Sequence, residues 1–204
     1  MAYAWTKWPA TRVPDVARTL LGWSVTANGV TIKLTETEAY AGVGADPASH
    51  AHRGMTKRNT VMWGPAGYAY VYFNYGMHWM LNIVAGPVGE PCAVLLRAGA
   101  VIDGVDLARE RRNGASDRDL ARGPGRLAQA LGVDKSADST PVLDGTGPIL
   151  LKPPGRPTDP ALIESGKRVG LNVGVETEWR FWLAGDPSVS VFRPGVRKKR
   201  RPML

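Results

Sequence analysis

Between Asn28 and Tyr40 the chain reads NGVTIKLTETEAY, and no other run limits its folding choices as tightly. The Asn-Gly pair is a hairpin turn signal, and the alternation behind it places Val30, Ile32, Leu34, Glu36, Glu38 and Tyr40 on one face of a strand. That face begins apolar and ends in two carboxylates. If the strand persists to Tyr40, both acids point to the same side as the apolar residues, where an unpaired carboxylate is costly. If it ends near Thr35, both sit in solvent. The pattern alone leaves the two arrangements open.

The rest of the chain supplies the partners for such a strand. Val16, Leu20 and Leu21 have helical spacing within Pro14 to Leu21, and Gly22 stops that helix. Residues 41 to 66 are rich in Gly, Pro and small polar residues and carry His50, His52, Arg53, Lys57 and Arg58. A loop of that length in a compact domain is usually functional. Tyr68 to Tyr75 reads as a strand with Tyr68, Tyr70 and Tyr72 on one face, Met77 to Val84 as a second, and Gly76 as the turn between them. Tyr75 then projects from a hairpin tip. A third strand, Cys92 to Ala98, contains Arg97 near its end.

Helical patterns are expected at 104 to 112 and 117 to 122, and the turn GPG at 123 to 125 leads into the helix RLAQAL. The amides and dipole at that helix start can hold a phosphate, although a simple turn and helix start is the commoner reason for such a sequence. Pro- and Gly-rich connections from 141 to 160 and two late strands around 178 to 192, with Trp179 and Trp182, complete the reading. There is no internal repeat, so residues 1–196 are expected to form a single domain followed by a basic tail, 197–204.

Composition excludes more than it selects. With 204 residues, 44% hydrophobic and 22% charged, the chain is long and apolar enough for one sizeable core. No apolar run approaches the roughly 18 residues of a membrane helix, and Lys7, Pro9 and Arg12 interrupt the start where a signal core would lie, so the expected location is the cytoplasm. Of the net charge of +8, five belong to Arg197, Lys198, Lys199, Arg200 and Arg201. Such a run either attracts phosphate nonspecifically or is a solvated end. The lone Cys92 excludes an internal disulfide and reads as a packing thiol. His50 and His52 lack a third ligand at a persuasive spacing, and neither a P-loop nor a dinucleotide fingerprint is present, so no metal and no cofactor are expected.

What remains is a buried-acid candidate, a tyrosine-rich hairpin, an arginine in a buried strand and a basic loop. Hydrolysing a base from deoxyribose needs a carboxylate to deprotonate water, aromatic faces to hold the extruded base and cations for the surrounding phosphates. Arg53, Lys57 and Arg58, and the GPGR turn with Gly123, Gly125 and Arg126, are the candidates for the phosphates. A noncatalytic nucleic-acid-binding module shares the tyrosines and the basic tail but does not need Glu38 beside Arg97. A nuclease would usually want an acidic metal cluster, which is missing from the pattern.

Seven strings in order, VARTLLG at 16–22, ETEAY at 36–40, DPASH at 46–50, RGMTKRN at 53–59, YVYFNYGMHWMLN at 70–82, VLLRA at 94–98 and GPGRLAQAL at 123–131, resemble the alkyladenine, or 3-methyladenine, DNA glycosylase family. The resemblance implies an α+β domain: a curved antiparallel β-sheet with surrounding helices and a protruding β-hairpin, similar to the C-terminal domain of methionyl-tRNA formyltransferase. It also implies a monomer that flips alkylated purines such as 3-methyladenine and 7-methylguanine from double-stranded DNA and leaves an abasic site without cutting the strand; it leaves hypoxanthine open. By motif, Glu38 is the general base, Arg97 its neighbour beside the water, and Glu36 structural. His50 shares the water through its backbone, and its ring lines the base pocket with Tyr40 and Tyr72. Tyr75 is the wedge that fills the vacated stack, with Met77 beside it, and Asn82 clashes with the 2-amino group of guanine.

Overall fold

The Asn28-Gly29 turn, with φ of 48° and 78°, folds the strand Ser24–Ala27 (β1) back onto Val30–Tyr40 (β2). Positive φ at both central residues matches the twist of a two-residue hairpin, which is why Asn-Gly stands there. The computed structural model describes residues 3–195. Six further strands complete an antiparallel sheet: Ala69–Asn74 (β3), His78–Val84 (β4), Ala93–Asp103 (β5), Ile149–Lys152 (β6), Ile163–Gly166 (β7) and Arg180–Leu183 (β8). The order is β3-β4-β5-β2-β1-β6, and β8 joins β2 to β7.

Strand β2 organises the sheet because it pairs with three others. Along one edge it runs against β5; β1 takes Val30 to Lys33, and β8 takes Glu36 to Glu38. The handover falls at an irregularity. Leu34 pairs with Gly99, Glu36 with Ala98 and Thr37 with Leu96, so the register skips Thr35 on β2 and then Arg97 on β5. Gly99 lets the strands approach here, since a Cβ would lie 2.4 Å from the Lys33 carbonyl oxygen. The skipped Thr35 is buried and its hydroxyl meets that of Ser188 at 2.8 Å.

These paired bulges correct the first expectation. Val30, Ile32 and Leu34 enter the main core as the alternation predicts, and the strand does persist to Tyr40. Past the bulge, however, Ala39 takes the core side together with Thr37, whose hydroxyl donates to the Ala17 carbonyl at 2.8 Å. Glu36 and Glu38 are therefore turned to the opposite face, away from the apolar residues whose parity they share. A bulge re-aims every side chain beyond it, and simple alternation does not register one.

Three helices cover the core face: Val13–Thr19 (α1), Val105–Arg111 (α2) and Pro124–Leu131 (α3). Each presents a short apolar side, with Val16 and Ala17, Ala108, and Leu127 and Leu131 in the core. The helix expected at 117 to 122 is a single 3-10 turn, Asp117–Asp119, because Gly123 and Pro124 begin the next helix before another turn can form. Of the two late strands expected at 178 to 192 only β8 forms, since Gly185 with φ of 70° turns the chain out of the sheet. The opposite sheet face carries a second, smaller cluster of Ala51, Met62, Tyr70, Val84 and Ala93, with Tyr68 and Tyr72 packed against it. Among the described residues no helix is long and apolar enough to cross a membrane.

Candidate active site

Both acids of ETEAY are fully buried on that second face, and their partners separate them. Glu36 accepts from Arg97 Nε at 2.8 Å, Arg180 Nε at 2.5 Å, the Ser190 amide at 2.7 Å and the Ser190 hydroxyl at 3.0 Å. Glu38 accepts from the Tyr40 hydroxyl at 2.8 Å and the Val169 amide at 2.7 Å, and Arg97 Nη1 lies 3.5 Å from its Oε2. Arg97 is thus gripped by one carboxylate while facing the other. Burial alone would lower its pKa, but the charges of Glu38 and Glu36 outweigh burial and raise it. The Tyr40 hydroxyl is held well above its ordinary pKa by burial and then by the Glu38 charge, so it remains a donor.

Glu38 and Arg97 line a cavity of about 220 Å³. That is smaller than the roughly 300–1,000 Å³ of drug-sized sites and suits one flat ring system. The wall is aromatic. His50 and Tyr72 meet edge-on at 4.6 Å between ring centroids, and Tyr70 tilts against Tyr72 at 5.2 Å. His50 Nδ1 lies 2.8 Å from the Tyr70 hydroxyl, and the His50 carbonyl accepts from Asn59 Nδ2 at 2.8 Å. Burial, chiefly, pushes the Tyr72 hydroxyl up to about 12 and that of Tyr70 higher still. His50 keeps an open edge at the mouth, yet its wall contacts and then the Arg58 charge hold its pKa below the usual value. Asn82 is buried on the floor, where its Nδ2 donates to the Tyr70 carbonyl at 3.0 Å.

The hairpin β3–β4 stands over this cavity. Its turn has positive φ at Tyr75 (51°) and Gly76 (66°) and is closed by the Met77 amide on the Asn74 carbonyl at 3.0 Å. A bulky side chain with φ above zero is unusual and strained. Tyr75 is 81% exposed and still borders the cavity, with exposed Met77 beside it. Arg53, Lys57 and Arg58 are all exposed, but Arg58 is not free: its guanidinium lies 4.9 Å over the Tyr72 ring and donates to the Phe73 carbonyl at 3.3 Å. The GPG turn reaches the cavity through Pro124, with Gly123 at φ of 130° and Gly125 pressed on His78 so closely that a Cβ would come within 2.9 Å. Arg126 points to Asp119 at 3.0 Å. The basic run 197–201 lies outside the described residues.

All six candidate residues for chemistry and base contact, Glu38, Arg97, Tyr40, His50, Tyr72 and Asn82, line the one cavity. Sequence reasoning missed the segment that closes it, Val169 to Leu171, and the buried arginines Arg168 and Arg180. Arg168 pairs with Asp46, the first residue of DPASH, at 2.6 and 2.8 Å. An arginine in an aperiodic stretch carries no signal of burial. The available clue was Asp46 itself, an acid in a motif without an assigned partner. Among the described residues no group of three or more His, Cys, Asp or Glu converges on a metal position.

Sheet, hairpin and pocket together define a class of α+β protein in which a small aromatic-walled cavity, with a buried carboxylate on its wall, opens beneath a protruding turn. Within that class the chain belongs to the methylpurine-DNA glycosylase family, which it matches over residues 7–187. It is 47% identical over 199 residues to a protein of Nocardia farcinica, covering 93% of each chain. To one of Frankia casuarinae it is 47% identical over 196 residues, 92% of this chain and 90% of the relative. To one of Streptomyces avermitilis it is 47% identical over 195 residues, 93% and 91% respectively. Each of these relatives is provisionally named a 3-methyladenine DNA glycosylase.

Proposed function

We propose that the protein is a monofunctional base-excision-repair glycosylase that takes 3-methyladenine and 7-methylguanine out of double-stranded DNA, acting as a monomer without a cofactor. The observation that carries this is Glu38: a carboxylate with no exposed surface, on the wall of a cavity sized for one base, with Arg97 at 3.5 Å. A carboxylate has about four acceptor positions, and the Tyr40 hydroxyl and Val169 amide occupy two, which leaves capacity for a water.

In the proposed reaction the flipped purine enters between His50, Tyr72 and the floor at Asn82. Glu38 takes a proton from water, the oxygen bonds to C1′ of the sugar, and the electron pair of the breaking glycosidic bond goes to the purine. A purine alkylated at N3 or N7 is cationic while attached and leaves neutral, so the step needs no acid for the leaving group. The same positive charge favours electron-rich ring faces, so selection and reactivity coincide. Asn82 clashes with the 2-amino group that guanine and 7-methylguanine share, a penalty that the attraction of cationic 7-methylguanine for the ring faces offsets and that neutral guanine does not overcome. Tyr75 and Met77 fill the vacated stack, and the exposed cations with the GPGR turn hold the flanking phosphates. The likeness to the methionyl-tRNA formyltransferase C-terminal domain and a cytoplasmic location belong to the same proposal.

The test is Glu38→Gln on duplexes bearing single defined lesions, read by alkali cleavage of abasic sites. The amide keeps the shape but cannot accept the proton, so lesion binding is retained and single-turnover excision falls by about 10²–10⁴. Excision at the parent rate would refute the mechanism.

A further inference from the structure

A buried ion pair needs a reason. Arg168 and Asp46 have side-chain exposures of 0% and 1%, and a buried pair of this kind contributes little net stability compared with apolar residues of the same volume. What it supplies here is geometry. Arg168 meets Asp46 bidentately, donates from Nη1 to the Ala39 carbonyl at 2.9 Å, and lies over the rings of Tyr40 at 4.7 Å and Trp179 at 5.6 Å. Asp46 in turn accepts from the Ala48 amide at 3.0 Å and the Ala41 amide at 3.3 Å. Three pieces of chain are clasped: the end of β2, the loop that carries His50, and the segment following β7.

That last segment is where position matters. From Arg168 to Leu171 the backbone is in neither strand nor helix, yet Val169, Gly170 and Leu171 wall the cavity and the Val169 amide holds Glu38 Oε1. Among the described residues its anchors beyond Glu38 include the Arg168 contacts and the Gly170 amide on the Arg193 carbonyl at 2.8 Å. We propose that Arg168 is a positioning residue for excision: clasped by Asp46, it keeps the Val169 amide on the Glu38 carboxylate and thereby fixes the orientation of that carboxylate towards the reacting sugar. The inference rests on Glu38 being the base.

The experiment compares Arg168→Met, Asp46→Asn and the double variant of the full chain by thermal unfolding. It also measures their binding to a duplex with a tetrahydrofuran abasic-site analogue and their single-turnover excision from a duplex with one 7-methylguanine. Each single variant strands a buried charge and loses stability; the double variant strands none and recovers most of it. A purely structural pair predicts that activity recovers too. A positioning pair predicts that the double variant still excises about 10- to 100-fold more slowly per folded molecule, with its dissociation constant for the analogue within about threefold of the parent, the size of effect expected from loosening one hydrogen bond to a charged group. Full recovery of rate, or a loss of binding that matches the loss of rate, overturns the proposal. Arg168→Lys keeps the charge without the two-pronged geometry and decides the matter should the others fail to fold: about tenfold slower excision supports the role, and parent-like excision refutes it. An active Glu38→Gln would instead mean that the base assignment itself is wrong.

Discussion

Glu36 and Glu38 stand two residues apart on one strand, each without exposed surface, and differ in how completely the protein satisfies them. Glu36 receives four hydrogen bonds, two of them from arginines, which matches the capacity of a carboxylate. Glu38 receives two, with Arg97 further off at 3.5 Å, and borders the cavity. With Glu38 as the proposed base, burial and residue type are poor guides to a reactive acid. The informative quantity is unfilled acceptor capacity facing a space that a substrate can enter.

The largest effect that this contrast predicts is in catalysis. Glu38→Gln should lower the excision rate by about 10²–10⁴ and move the midpoint of denaturant unfolding less than Glu36→Gln does, because Arg97 keeps its hydrogen bond to Glu36. Glu36→Gln should do the reverse, because it leaves Arg97 and Arg180 buried around a neutral amide. It is expected to cost about 3–5 kcal/mol of folding stability by urea unfolding, with excision per folded molecule within about threefold of the parent. The comparison breaks if the two variants, each corrected for its folded fraction, lose chemistry equally.

The sequence carried the strand that holds both acids but not the side they face. The Asn-Gly turn and the alternation from Val30 located β2, and the tyrosine run with Gly76 located the β3–β4 hairpin, because both signals are local. The bulges at Thr35 and Arg97 are a property of two paired strands, so nothing within either strand alone announces them. Short β1, β6 and β7, of four residues each, are shorter than a periodic pattern needs to be distinctive. The motif resemblance did gather Glu38, Arg97, His50 and Asn82, which come from separate elements. It was silent on Arg168, Arg180 and Ser190, whose roles depend on tertiary contacts across more than a hundred residues of chain.

A second contrast, between the satisfied floor of the cavity and its strained lip, predicts a smaller effect. Tyr75 is exposed and has φ of 51°, a conformation that a large side chain adopts at a cost of about 1 kcal/mol or more. Tyr75→Gly should leave thermal stability within about 1 kcal/mol of the parent, since relieved strain and the greater freedom of the unfolded chain oppose each other. Excision should nevertheless fall by about tenfold for a well-paired lesion and less for a mispaired one, because a wedge recovers part of the stacking lost on flipping. Strong destabilisation, with every lesion slowed alike, would make Tyr75 a packing residue.

The smallest expected effect concerns the proton on His50 at the cavity mouth. Its pKa is lowered by desolvation against the wall and then by Arg58. A neutral imidazole does not repel a cationic purine, whereas an imidazolium would, so the lowered pKa suits the proposed substrates. Above about pH 6.5, the ordinary value, both folded and unfolded chains carry this ring uncharged and its contribution to stability does not change. As pH falls through that value the unfolded chain takes up a proton that the folded protein resists, so stability declines until the folded pKa is passed. His50→Gln should flatten that part of the stability curve. Arg58→Met removes the smaller of the two causes, so the His50 titration followed by NMR should move upward towards its ordinary value while remaining below it. With three histidines in the chain, His50, His52 and His78, the resonances are few enough to assign. An unmoved His50 titration would mean that the wall alone keeps the ring neutral and that Arg58, lying over Tyr72, acts on the ring it covers rather than on the proton beside it.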